Sequence, residues 1–375
     1  MKIAVNTRFL LEGKLEGLGW FTYETMKRMV ENHPEHQFFF IFDRPYSQRF
    51  IFASNVTPIV AFPPARHPFL WFLWFEIAIP KVLRKINPDI FVSTDGYLSL
   101  RTKVKTIDVI HDLNFEHYPE QMKWLVKKYY RYFFPKFARK ACRIVTVSEY
   151  SKQDIVSTYG IPASKIDVAY NGAGTTFKPL SEEEKIQIRK EYTNGSPYFV
   201  YVGALLPRKN IARLLEAFDQ FKKQSGSNTK MVIVGAKMFK TKDIENVFNH
   251  MQFKHEVIFT GRLPEGKIEP VVGAALAMTY VSYFEGFGIP LIEAMYADVP
   301  VITSNKTALP EVAGKAAIIV DPFSVKEITD AMILINSDKK VRDLLITEGR
   351  IQRQKFNWDY TALTLWQSIE KCLQA

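Results

Sequence analysis

Short runs of β-branched and aromatic residues alternate with helical stretches along nearly the whole chain, the pattern of parallel α/β sheets. In the first half, strands are predicted at Lys2–Asn6, Gln37–Phe42, Asp89–Val92, Val104–Ile110 and Arg143–Val147. Helices are predicted at Gly19–Glu31, Leu70–Lys85, Gln121–Lys140 and Ser148–Tyr159, with Ser148 suited to cap the last of them. The pattern breaks at YNGAGTTFKPLSEEE, from Tyr170 onward, where glycines, an Asn-Gly pair and a proline predict a loop and an interdomain linker. A second series then begins. Its strands are Tyr198–Val202, Met231–Val234, Val257–Thr260, Leu276–Tyr280, Pro300–Thr303 and Ala317–Val320. Its helices are Asn210–Lys223, Pro290–Tyr296, Val325–Ile335, Lys339–Lys355 and Asp359–Leu373. The economical architecture is α/β, with two Rossmann-like domains facing each other.

Composition narrows the class. A chain of 375 residues is too long for one ordinary core and suits two domains. With 47% hydrophobic and 24% charged residues it is ordinary globular protein, so disorder, collagen and coiled coil are excluded for its bulk. Cys142 and Cys372 are far apart in sequence, which argues against a disulfide framework and a cysteine-built zinc site. The start, MKIAVNTRFLL, reads as a first strand and not as a signal peptide. The densest apolar stretch, Pro68 to Pro80, is interrupted by Glu76 and is too short to span a bilayer. A cytoplasmic location is expected. Net charge is +11, and residues 1–175 carry 24 Lys/Arg against 16 Asp/Glu, whereas the remainder carries 26 against 23. The basic first half suits an anionic partner, whether nucleic acid, anionic lipid or a phosphorylated substrate.

Four places suggest chemistry. In Glu285-Gly-Phe-Gly-Ile-Pro-Leu-Ile-Glu293, glycines bend the chain after a strand and Pro290 suits a first helical turn. Such a strand–loop–helix junction binds anions without a metal, and its two carboxylates can accept hydrogen bonds from sugar or ribose hydroxyls. The plainer reading is an acidic first turn complementing a helix dipole. In Gly203-Ala-Leu-Leu-Pro-Arg-Lys-Asn210, Arg208 and Lys209 lie at the carboxyl end of a strand, where open α/β sheets bind ligands. They suit a diphosphate clamp, or are two solvated loop cations. His111 ends another strand and suits a substrate hydroxyl; with Glu116 and His117 it resembles a metal cluster, but the spacing fits no helical zinc motif, so no metal is expected. Gly17 and Gly19 open a helix, yet Thr22 stands where a dinucleotide fingerprint needs its third glycine, which argues against an NAD enzyme.

Taken in order, these pieces resemble the family 4 glycosyltransferases, retaining sugar transferases with the two-domain GT-B fold. The resemblance runs through GLGWFTYE, the HDL block at Val109–Leu113, VSEYSKQDI, the YNG linker, GALLPRKN, the Glu285–Glu293 element and LPEVAGKAAIIVDP from Leu309 to Pro322. It implies an acceptor-side domain at 1–172 and a nucleotide-sugar donor domain at 173–356, with an interdomain cleft. A last helix, about 357–375, would pack back on the first domain. Carried over position by position, Arg208 and Lys209 would neutralise the donor diphosphate. Glu293 would bind the ribose, and Glu285 the hydroxyls of the transferred sugar. Phe287, Gly288 and Ile289 would offer backbone N–H groups, and His111 would touch the sugar. Gly17 and Gly19 would bring flexible backbone near phosphate or acceptor. One departure is Ala204, where many members carry arginine.

The reaction so implied moves a hexose-type sugar to a glycan or lipid-linked acceptor hydroxyl, with the nucleotide-sugar as substrate and no separate cofactor. In a front-face retaining reaction the departing phosphate takes the acceptor proton, so no protein nucleophile is required; Glu285 is the alternative. The rival readings are an epimerase of the same fold and a basic nucleic-acid-binding protein, though no module of the latter class is recognised and no nucleic acid is expected. From Lys123 to Arg143 there are eight basic residues and no acidic ones, interleaved with seven aromatics. Such a helix suits peripheral contact with an anionic inner membrane face, with Trp71–Phe75 as a second contact. The alternative is that its aromatics face the core and its cations are solvated. Oligomeric state is left open.

Overall fold

The computed structural model describes residues 1–174, 176–236, 242–264 and 266–374. Thr175 of the expected linker, and Ala375 at the end of the expected last helix, lie outside them. The chain divides into two compact units, Met1–Asn171 with Asn357–Ala375, and Gly172–Phe356.

The first unit contains β1 (Lys2–Asn6), α1 (Gly17–Asn32), β2 (Gln37–Phe42), β3 (Val56–Val60), α2 (Pro68–Leu73), α3 (Ile79–Ile86) and β4 (Ile90–Ser93). It continues with β5 (Lys105–Val109), α4 (Asn114–His117), α5 (Trp124–Lys140), β6 (Arg143–Thr146), α6 (Glu149–Tyr159) and β7 (Ile166–Val168). The strands form one sheet in the order β3-β2-β1-β4-β5-β6-β7, every pair parallel. Strands covered on both faces read as continuous apolar runs, as QFFFIF does in β2. The two unpredicted strands are the edges: β3 carries Pro58, which an edge tolerates, and β7 has three residues. The stretch expected as one helix at Leu70–Lys85 holds a π-helical turn, Trp74–Ala78, between α2 and α3. Ser148 does cap α6, its Oγ accepting from Ser151 N at 3.0 Å.

The second unit contains α7 (Glu182–Thr193), β8 (Tyr198–Val202), α8 (Ile211–Ser225), β9 (Lys230–Val234), α9 (Lys242–His250), β10 (Val257–Gly261) and α10 (Ile268–Gly273). There follow β11 (Ala277–Tyr280), α11 (Ile289–Tyr296), β12 (Val301–Ser304), α12 (Leu309–Ala313), β13 (Ala317–Val320), α13 (Val325–Ser337) and α14 (Lys339–Gln352). Its parallel sheet runs β10-β9-β8-β11-β12-β13. The order reverses between β8 and β11, and ligands in such sheets bind outside the strand carboxyl ends at that reversal. The expected loop ends earlier than the composition suggested. Ser181 and Glu184 form a capping box, Glu184 N donating to Ser181 Oγ and Ser181 N to Glu184 Oε2, so SEEE starts α7.

The final helix, α15 (Trp358–Gln374), belongs to the first unit. Trp358 meets Phe21 edge-on, Arg28 Nε pairs with Asp359, and Ser368 and Lys371 both donate to Asp167. One expectation is overturned here. Cys142 and Cys372 are joined by a disulfide, because α15 returns to the start of β6 and brings their Cα atoms to 5.8 Å despite a sequence separation of 230. Sequence separation carried no information about that distance. In the expected second membrane contact at Trp71–Phe75, Trp74 and Phe75 are fully buried, Trp74 Nε1 donating to Ala61 O, whereas Trp71, Phe72 and Leu73 are half-buried.

The sheet core also holds Asp108 of β5, fully buried, whose carboxyl oxygens have no hydrogen-bond partner among the described residues. Burial, and then the charge of Asp95, push its pKa well above the usual range. The folded state therefore keeps a proton that the unfolded chain releases at ordinary carboxylate pH. Stability from this group is complete below that pH and is lost as pH rises toward the folded pKa. Asp108→Asn is expected to raise the thermal midpoint more at pH 8 than at pH 4; equal shifts at both would show that Asp108 does not titrate with folding.

Candidate functional site

At the strand-order reversal of the second unit, the loops after β8 and β11 are tied together. Tyr283 N donates to Arg208 O at 3.0 Å, and Asn210 Nδ2 donates to both Val281 O and Pro322 O. Asn210 holds φ +61°, a left-handed conformation that asparagine tolerates, and from it α8 departs. The approach of neighbouring loops requires glycine: a Cβ on Gly235, φ +154°, would lie 1.9 Å from Gly203 O. Gly288, φ +112°, precedes α11 directly, and a Cβ there would meet Leu309 Cδ2 at 2.7 Å.

Within this frame Glu285 gathers both predicted cations. Its Oε2 accepts from Arg208 at 2.9 Å, and its Oε1 accepts from Lys209 Nζ at 2.5 Å and from Tyr280 Oη at 3.0 Å. Lys209 also donates to Tyr280 Oη, and Arg208 to Phe284 O. Glu285 N is fixed in turn by Thr307 Oγ1. Burial by itself would raise the Glu285 pKa, but the Lys209 ammonium and the Arg208 guanidinium outweigh it and hold the group at about 2. It is ionised at any working pH. Among the described residues the cluster sets two cations against one carboxylate at the carboxyl ends of the strands.

Glu293, in α11, lies half-buried in a different environment. Desolvation, and then the carboxylate of Glu269 in α10, raise it to about 8. Glu269 itself accepts from Thr176 Oγ1 through Oε1, while its Oε2 is buried without a hydrogen-bond partner among the described residues. Phe287 is buried and packs edge-on to Phe356, while Gly288 and Ile289 form the entry to α11, whose first-turn N–H groups have no intrahelical acceptor.

In the first unit, His111 follows β5. Its Nε2 lies 2.9 Å from Thr94 O, so Nε2 carries the proton and Nδ1 the lone pair, and Phe21 meets the ring edge-on. Burial lowers its pKa, which keeps the ring neutral. Glu116 and His117 do not join it: His117 pairs with Asp154, and Glu116 accepts from Tyr159. Among the described residues, the histidine and carboxylate donors that do converge are His33, Glu35 and His36, in the turn entering β2 at the amino edge of the sheet. Gly19 is explained locally, since a Cβ would meet Phe9 O at 2.9 Å, whereas Gly17 has open space.

Sequence reasoning missed Tyr280, Thr307 and Asn210, which hold Glu285 and its loops. It also missed Arg8, whose buried guanidinium pairs with Asp95 at 2.5 Å and lies over Tyr97. A tyrosine closing the strand before the Glu285 loop was the one available signal.

The family model described as "Glycosyl transferases group 1" matches residues 182–352, and that described as "Glycosyltransferase Family 4" matches residues 15–177. The chain is 26% identical over 278 residues to O-antigen chain mannosyltransferase B of Escherichia coli, covering 74% of this chain and 73% of that protein. It is 29% identical over 259 residues to O-antigen chain mannosyltransferase RfbU of Salmonella typhimurium, covering 69% and 68%. The structure of Anabaena Alr3699/HepE in complex with UDP and glucose shares the fold, with a TM-score of 0.77 over 99% of each chain at 16% identity.

Removing Glu285 would strand two cations, one of them a buried ammonium. Breaking a buried pair in this way costs about 3–5 kcal/mol. Glu285→Ala is expected to destabilise the chain by that amount, and adding Lys209→Met to restore most of it. Denaturant unfolding of both variants checks this; additive losses would show that the charges are not coupled.

Proposed function

The chain belongs to the family 4 glycosyltransferases, and on that premise we propose that it is a retaining, metal-independent hexosyltransferase acting from a nucleotide-sugar onto a glycan or lipid-linked hydroxyl. The observation that carries this reading is the paired cation cluster on Glu285 beside the α11 entry, at the carboxyl edge of a parallel sheet. The relatives named above are mannosyltransferases, so mannose is the first sugar to try. Work on a lipid-linked acceptor suits a protein at the cytoplasmic membrane face, and no helix among the described residues is long and apolar enough to cross that membrane.

The chemistry follows from charge. Cleaving the bond between anomeric carbon and phosphate builds negative charge on the departing diphosphate. Arg208 and Lys209, oriented in advance by Glu285 and Tyr280, stabilise that charge without reorganising, as do the N–H groups of Gly288 and Ile289. These groups supply the positive field that a metal ion would otherwise provide. Glu285, spent on two cations, is a poor nucleophile, which favours a front-face path in which the phosphate accepts the acceptor proton. In this reading the remaining lone pairs of Glu285 accept from sugar hydroxyls and Glu293 accepts from the ribose.

Hydrolysis of UDP-, GDP-, ADP- and dTDP-sugars tests the activity directly, and turnover should survive a chelator. Arg208→Ala should cut turnover about a hundred- to a thousandfold, the worth of one preorganised donor to a developing anion. Near wild-type turnover at saturating donor would remove Arg208 from the site. Glu293 adds a pH signature. If its carboxylate accepts ribose hydroxyls, binding below pH 8 must release a proton. Nucleotide affinity should then climb about tenfold per pH unit toward 8 and level off above it. Calorimetry on Glu293→Gln should give a weaker and flat profile; an unchanged slope would place the titrating group elsewhere.

A further inference from the structure

Helix α5 carries more exposed apolar and cationic surface than its packing uses. Its inner side is ordinary core, with Phe134, Phe137 and Ala138 buried. Along its outer side Trp124, Lys128, Tyr132 and Lys136 recur at a spacing of four, alternately aromatic and cationic. Lys128 Nζ sits 4.0 Å above the Trp124 ring, and Lys136 Nζ 3.3 Å above that of Tyr132. On the adjoining stripe Leu125, Tyr129 and Phe133 line a groove with Phe69 and Phe72 of α2. The groove is open, measures about 520 Å³, and has Lys128 at its rim. Trp124 is 66% exposed, Phe69 63% and Tyr132 58%, so the surrounding rings stand in water. A contiguous apolar patch of this kind on a soluble surface marks a binding face.

We infer that this groove takes a hydrocarbon chain of an anionic membrane lipid, with the cation–aromatic ladder of α5 lying at the headgroup level. Charge selects the occupant. No acidic residue lies between Lys123 and Arg143, and Glu116 faces Arg131 at 3.7 Å. Anionic headgroups meet the lysines while an acyl chain covers Phe69, Phe72 and Leu125. A soluble acidic peptide would satisfy the cations and leave the apolar floor in water. A second copy of the chain would bring the same basic ladder and a net charge of +11, opposing contact. The inference rests on the glycosyltransferase reading for its purpose, which is to hold the enzyme where lipid-linked acceptors lie, but not for its occurrence.

The test is co-sedimentation of the full chain with vesicles of phosphatidylglycerol in phosphatidylcholine, or of phosphatidylcholine alone, at low and high salt. Phe69→Ser with Leu125→Ser removes the groove's exposed floor without changing charge; Lys128→Gln with Lys136→Gln removes the ladder's cations. Wild type should favour anionic vesicles about tenfold, with binding weakened by salt and Trp124 emission shifted to the blue. The serine pair should lose about tenfold in partitioning to both vesicle types, and the glutamine pair should lose the anionic preference. Nucleotide binding by each variant, measured in parallel, should stay at wild-type strength. Its absence in every protein would count against the proposed function and not against the groove. Equal wild-type partitioning to both vesicles, partitioning to neither, or indifference to the serine pair overturns the inference. So does a wild-type dimer in sedimentation that the serine pair dissolves, since the groove would then belong to a second copy.

Discussion

One buried carboxylate ties together the loops at the carboxyl ends of β8 and β11 in the second unit. Glu285 draws Arg208 and Lys209 from the β8 loop onto the β11 loop, and Tyr280 and Thr307 fix it from either side. Desolvating three charges is expensive, and the arrangement survives because every charge is matched at hydrogen-bond distance. The consequence is preorganisation. The cations are held in place by the protein's own carboxylate, so under the proposed function the electrostatic work of catalysis would not have to include gathering them.

The same edge sets two carboxylates apart by environment. Glu285 is pinned at about 2 by two cations, whereas Glu293 is raised to about 8 by burial and the neighbouring Glu269. One is a permanent anion, and the other changes charge near neutrality. Two residues of one type, eight positions apart, thus acquire different capacities because one faces cations and the other faces a carboxylate.

In the first unit the aromatic content divides in the same manner. Trp74, Phe75 and Phe137 close the core, while Trp124, Tyr132 and Phe69 face water beside lysines. A basic, aromatic helix read from sequence alone holds both outcomes at once. Helical phase against the sheet sorts its residues into one or the other.

The sequence by itself determined the class of the protein. Apolar runs for doubly covered strands, amphipathic helices between them and strand-end loops rich in glycine and charge made two Rossmann-like units legible, along with the family. The candidate site was legible where its residues are contiguous, in PRKN and in Glu285–Glu293. What tertiary structure alone decided was pairing across distance. Nothing in local pattern tells that Arg208 and Lys209 spend their charge on Glu285, or that Tyr280 completes the cluster. Nor does it tell that Glu269 raises Glu293, or that α15 brings Cys372 to Cys142. Local pattern records how each segment meets water, which fixes its element. Contacts between segments depend on strand order and helix return, and these are settled only when the whole chain packs.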